Sequence, residues 1–184
     1  MNSMAKDVRT FMGLIRVLVV DDEYYSRKVI RTLLMALGTN KIDEAGDGAD
    51  GLDAIRSLAP DVVLLDWEMP RMDGAEFVRQ VRSPATFPVP NVPIIMLTGH
   101  SERSRVIEAV RGGVHEFLLK PVSGNALQAR IISVLTKPRN MVRRGDYYGP
   151  EPRKLSSYKP ELESYLQREQ DKREQQPTCQ IFAT

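Results

Sequence analysis

Five times along this chain a short strand-like run, nearly continuous and apolar in most cases, is followed by a segment with apolar residues at helical spacing. That alternation restricts the architecture more than any other feature. The runs are "IRVLVV" (15–20), "KIDEA" (41–45), "DVVLL" (61–65), "PIIMLT" (93–98) and "EFLLK" (116–120). The first is rich in β-branched residues, and all five read as strands. Between them, residues 25–38 place Val29, Ile30, Leu33, Leu34 and Leu37 on one helical face, with Gly38 as a stop. Residues 46–58 carry Leu52, Ile55 and Leu58 and meet Pro60. Residues 73–83 carry Phe77, Val78 and Val81. Segments 101–113 and 123–136 complete the set, the last with Leu127, Ile131, Ile132 and Leu135. Strands without polar alternation, separated by helices, predict an α/β fold with a parallel sheet covered on both faces. In such sheets ligands sit outside the carboxyl ends of the strands.

Those ends carry the chemistry. The first strand delivers Asp21 and Asp22, the third Asp66, the fourth Thr98 and the fifth Lys120. Alone, each is ordinary: an acid before a helix is an N-cap, and an acid after a strand is a turn residue. Together they place three carboxylates, a hydroxyl and an ammonium on one rim. Clustered carboxylates repel, and a hard divalent cation such as Mg²⁺ relieves the repulsion. A carboxylate held beside that cation can act as a nucleophile toward phosphorus and form an aspartyl phosphate. Lys120 and Thr98 then face the phosphoryl oxygens.

The motifs "VVDDE", "LLDWEMPRMDG", "IIMLTGH" and "GGVHEFLLKP", in this order on the five-strand framework, resemble a CheY-type receiver domain of bacterial two-component response regulators. The resemblance spans about residues 14–136. It implies a flavodoxin-like, doubly wound sheet of strand order 2-1-3-4-5. It implies Asp66 as phosphoacceptor, and Asp21 and Asp22 as the metal-binding pair, the second the more direct ligand. The backbone carbonyl of Glu68 would complete the ligands for Mg²⁺. Thr98 and Lys120 would contact the phosphoryl group, Phe117 would be the aromatic switch, and Lys120–Pro121 would be cis. The implied protein is a stand-alone response regulator, no enzyme beyond self-phosphorylation and self-dephosphorylation. Its implied partners are a histidine kinase, a downstream protein of unknown identity and a homodimeric copy.

The remaining chain divides into an arm, 1–13, with Phe11 or Met12 touching the body, and an extension, 137–184, partly helical or disordered. The extension has few aliphatics and many charges, too little apolar surface for a core of its own. Residues 161–176 offer a polar helix with a thin stripe of Leu162, Tyr165 and Leu166. Lys137, Arg139, Arg143 and Arg144, near Tyr147 and Tyr148, read either as a solvated linker or as a nucleic-acid contact, although no DNA-binding domain is legible. In the homodimer reading, Glu102, Arg103, Arg105, Glu108, Arg111 and Arg130 lie on the shared face. Tyr147, Tyr148, Leu155 and Tyr158 would anchor the tail to the other copy. His100 and His115 read as surface or loop histidines.

Other classes fit poorly. A haloacid dehalogenase-type phosphatase needs D-x-D-x-T, but "DWEMP" places Glu68 and then Met-Pro. A dinucleotide site needs G-x-G-x-x-G after the first strand, which is missing. With 26 Lys and Arg against 24 Asp and Glu, the net charge of +2 gives no bulk attraction to nucleic acid. The one cysteine, Cys179, and the lack of a long apolar run place the chain in the cytoplasm, off the membrane.

Overall fold

The computed structural model describes residues 3–99 and 112–152. The elements run α1 (Ser3–Leu14), β1 (Arg16–Val20), α2 (Tyr24–Leu37), β2 (Lys41–Ala45), α3 (Gly48–Leu58), β3 (Val62–Asp66), α4 (Gly74–Val81), β4 (Ile94–Thr98), β5 (Glu116–Leu119), α5 (Gly124–Thr136), β6 (Met141–Arg144) and β7 (Tyr147–Pro150). The first five strands form one parallel sheet in the order β2-β1-β3-β4-β5, as expected.

Alternation within each strand divides the core in two. Leu18, Val20, Val63, Leu65, Ile94, Met96 and Phe117 face α3 and α4. Val17, Val19, Val62, Leu64, Ile95, Leu97 and Leu118 face the other layer, where Met12, Leu34, Leu127 and Ile131 meet them. The central strands are therefore buried on both faces, which is why they read as unbroken apolar runs. β2, at an edge, carries three charged residues, Lys41, Asp43 and Glu44. Its Glu44 gathers Arg27, Lys28 and Arg31 of α2 at 3.6, 3.5 and 3.0 Å.

Local chemistry sets the helix ends. Asp47, Asp73 and Ser123 each accept a hydrogen bond from the backbone N–H three residues on, capping α3, α4 and α5. Gly38 ends α2 at φ +100°, in the left-handed region that favours glycine. Gly74 is required by packing: a Cβ there would lie 2.5 Å from the buried ring of Trp67.

Three expectations differ from the structure. The loose arm is a helix, α1, whose Met12 is fully buried against the α2 side of the sheet. The start of the extension is a β-hairpin, β6–β7, turned at Gly145 with φ +59°. His115 stands in the loop before β5 but is buried, with only 4% of its surface exposed. The 101–113 helix with its charged face, His100, Leu155, Tyr158, the 161–176 stripe and Cys179 lie outside the described residues, apart from Gly112 and Gly113.

Candidate functional site

Sheet register assembles the site. Val20 of β1 pairs with Leu65 of β3, so Asp21 and Asp66 follow side by side on neighbouring strands. Asp66 in turn pairs with Leu97, placing Thr98 one step beyond it on β4. Thr98 pairs with Leu119, so Lys120 follows at the end of β5. Residues distant in sequence thus reach one rim because parallel strands end together.

The ligand oxygens of Asp21, Asp22 and Asp66 lie within 4.8 Å of one another. Asp21 is fully buried, Asp66 nearly so, and Asp22 is exposed. Lys120 Nζ joins two of them, donating to Asp21 Oδ2 at 2.9 Å and lying 3.1 Å from Asp66 Oδ1. Burial raises the Asp66 carboxyl above its ordinary value; Lys120 opposes that rise and the charge on Asp21 adds to it. Burial disfavours the Lys120 ammonium, but its hydrogen bond to Asp21 and the charges of Asp66 and Asp21 outweigh this and raise it. A carboxylate set of this size, under mutual repulsion and open on the Asp22 side, suits Mg²⁺.

The other expected residues fall as follows. Thr98 is buried at the end of β4, its carbonyl accepting from Lys120 N–H at 2.8 Å. Phe117 is buried on the α3–α4 side and pairs with Met96. Glu68 is exposed in the loop after β3. The Lys120–Pro121 peptide is cis.

Residues not singled out from the sequence hold the acid turn. Ser26 Oγ donates to Asp21 Oδ2 at 2.5 Å, and the Glu23 N–H donates to Asp21 Oδ1 at 2.8 Å. Arg27 donates to the Asp21 carbonyl at 2.7 Å while its other edge faces Glu44. Asp21 N–H donates to the Ala45 carbonyl at 3.2 Å. Ser26 and Arg27 open α2 directly after the acids, so their spacing was the available signal.

At the other end of β5 a second polar cluster is closed to solvent. Arg82 donates to the carbonyls of Gly113, Pro90 and Val92 at 2.9, 2.5 and 2.9 Å. His115 Nδ1 accepts from both Arg82 and the Ile94 N–H at 3.3 Å, so the ring is neutral with its proton on Nε2. Burial, with Arg82 and Arg139 adding their charge, lowers His115 to about 2. Burial also lowers Arg82, to about 9, and it stays charged at neutral pH. The hairpin covers this cluster. Arg139 donates to the carbonyls of Val114, His115 and Glu151, and Tyr148 donates to Asn91 Oδ1 at 2.6 Å. Arg139 is therefore committed to the body, and Arg144 faces Glu151 at 3.6 Å. Among the described residues no helix is long and apolar enough to cross a membrane.

Comparison with known proteins agrees with this geometry. The family model of the response regulator receiver domain matches residues 17–132. The chemotaxis protein CheY of Pseudomonas aeruginosa is 32% identical over 122 residues, covering 66% of this chain and 97% of that protein. The structure of chemotaxis protein CheY4 of Vibrio cholerae is 30% identical with a TM-score of 0.59, covering 66% of this chain and 98% of that one. The receiver domain of a Pseudomonas aeruginosa sensor histidine kinase, solved with a magnesium ion in its active site cleft, shares the fold: 24% identity and a TM-score of 0.61, over 67% of this chain and 98% of that one. The β6–β7 hairpin lies beyond the matched family range.

Proposed function

Because this chain belongs to the response regulator receiver domain family, we propose that it is a phosphorylation switch of a two-component system, with Asp66 accepting a phosphoryl group from a histidine kinase. The observation that supports this best is the bridge of Lys120 between Asp21 and Asp66 inside a cluster of three carboxylates. A structural salt bridge needs one acid, whereas this site gathers three carboxylates and ties two of them to one ammonium. In the transfer, an Asp66 oxygen attacks phosphorus, the bond from phosphorus to the donor's histidine nitrogen breaks, and the nitrogen keeps the electron pair. Asp21, Asp22, Asp66 and the Glu68 carbonyl would hold Mg²⁺, which would supply positive charge to offset the carboxylates and the phosphoryl oxygens. Lys120 supplies positive charge beside Asp66, and the Thr98 hydroxyl supplies a donor.

In this reading Thr98 and Phe117 convert the modification into a changed docking surface. Phosphorylation shifts such an equilibrium only by the difference in affinity between the two states. The surface is read by a downstream protein or by a second copy of the chain.

The test is direct. Incubated with a small phosphodonor and Mg²⁺, the native chain is expected to gain a hydroxylamine-labile adduct, and Asp66→Asn to gain none. Chelation of the metal should abolish labelling of the native chain. Equal labelling of Asp66→Asn would overturn the assignment. Phosphotransfer profiling against a panel of histidine kinases then identifies the donor.

A further inference from the structure

We infer that Ser26 is a positioning residue of the phosphoryl-transfer site: its hydroxyl holds Asp21 so that Lys120 can turn from Asp21 to the phosphoryl group. This rests on Asp66 being the phosphoacceptor.

Asp21 is fully buried, and each of its oxygens has its own set of donors. Oδ1 accepts from the Glu23 N–H at 2.8 Å. Oδ2 accepts from two groups, Ser26 Oγ at 2.5 Å and Lys120 Nζ at 2.9 Å. The two differ in what the reaction asks of them. Lys120 already lies 3.1 Å from Asp66 and must face the phosphoryl oxygens once they arrive. Ser26 sits on the first turn of α2, away from Asp66 in sequence and strand order, and has no such task. When Lys120 turns, Ser26 is the donor that stays.

The cost of losing a hydrogen bond is asymmetric. Exchanging one donor among several costs little, but stranding a buried carboxylate oxygen carries its desolvation penalty. With Ser26 in place, the departure of Lys120 leaves Oδ2 bonded. Without it, Lys120 is the one side-chain donor left to Oδ2 and is held more tightly at Asp21. The hydroxyl therefore governs how readily Lys120 is released, a kinetic role distinct from holding the fold. The turn itself is secured elsewhere, by Arg27 on the Asp21 carbonyl at 2.7 Å and by the Ala45 carbonyl on the Asp21 N–H at 3.2 Å.

Two variants of the full chain separate this role from a structural one. Trp67, the single tryptophan and the neighbour of Asp66, is the fluorescence probe for a Mg²⁺ titration. In Ser26→Ala, labelling by a small phosphodonor at saturating Mg²⁺ should slow by roughly tenfold or more, the scale of one hydrogen bond to a charged group. The Mg²⁺ midpoint should stay at or below the native value, because an acid relieved of a donor is no poorer a cation ligand. Ser26→Thr, which keeps the hydroxyl, should restore the rate. Native-rate labelling of Ser26→Ala, failure of the threonine rescue, or joint weakening of labelling and Mg²⁺ binding would each overturn the role. Absence of labelling in the native chain instead removes the phosphoacceptor reading itself.

Discussion

Residues of one chemical type have opposite fates here according to what surrounds them. Asp66 and Asp21 are buried acids that stay together because Lys120 lies between them. Arg82 is a buried cation hydrogen-bonded to backbone carbonyls and a neutral imidazole. His115 shows the consequence for stability. Its folded pKa is lowered to about 2 from the ordinary 6.5, so the folded chain refuses a proton that the unfolded chain accepts. The stability this contributes is complete above the unfolded value and is lost as pH falls from 6.5 toward 2. One proton of difference gives a slope of about 1.4 kcal/mol per pH unit. His115→Asn places an amide oxygen near the Nδ1 position and cannot be protonated in this range. Chemical denaturation between pH 7 and pH 4.5 should therefore show a shallower loss of stability in His115→Asn than in the native chain. Parallel curves would mean that His115 does not titrate on unfolding.

At the scale of elements, the β6–β7 hairpin changes where the folded unit ends. Its backbone meets the body at two glycines: a Cβ on Gly149 would lie 2.9 Å from Gly113 Cα, and one on Gly113 would lie 3.2 Å from the Tyr148 carbonyl oxygen. Gly113 is also at φ +103°, so both its conformation and its contact require glycine. The hairpin covers the otherwise solvent-facing side of the Arg82–His115 cluster. We expect the chain ended after residue 152 to keep the native unfolding midpoint, and the chain ended after residue 136 to lose about 2–4 kcal/mol. That loss corresponds to the charge-assisted bonds of Arg139 together with newly exposed buried groups. Thermal and denaturant unfolding of the two truncations checks this, and equal midpoints would make the hairpin an appendage. The same logic applies to α1. Its sequence reads as an arm, although Val8, Phe11 and Met12 stand at helical spacing and pack on the second core layer. A single apolar turn is a weak signal until α2 and the sheet supply its partner.

On the scale of the whole molecule, the two ends of the sheet have different tasks. The carboxyl ends of the strands carry the acids, Lys120 and Thr98, while the opposite end of β5 is fastened by Arg82, Arg139 and the hairpin. A homodimer reading the switched surface would add mass on phosphorylation. The full chain is expected to sediment faster with phosphodonor and Mg²⁺ than without, and a monomer under both conditions would remove the second copy as a partner. By itself the sequence determined the parallel α/β fold, the strand order through its resemblance, and the rim of Asp21, Asp22, Asp66, Thr98 and Lys120. These were legible because strand and helix periods are local, and because residues following parallel strands necessarily share one edge. Only the tertiary structure decided that Arg82 is buried while Arg79, three residues earlier, is exposed. It alone decided that His115 is a neutral acceptor, that "RRGDYY" turns back onto Gly113, and that Ser26 shares Asp21 with Lys120. Each of these depends on carbonyls, glycines or carboxylates brought from distant segments, and no period along a single stretch of chain encodes that convergence.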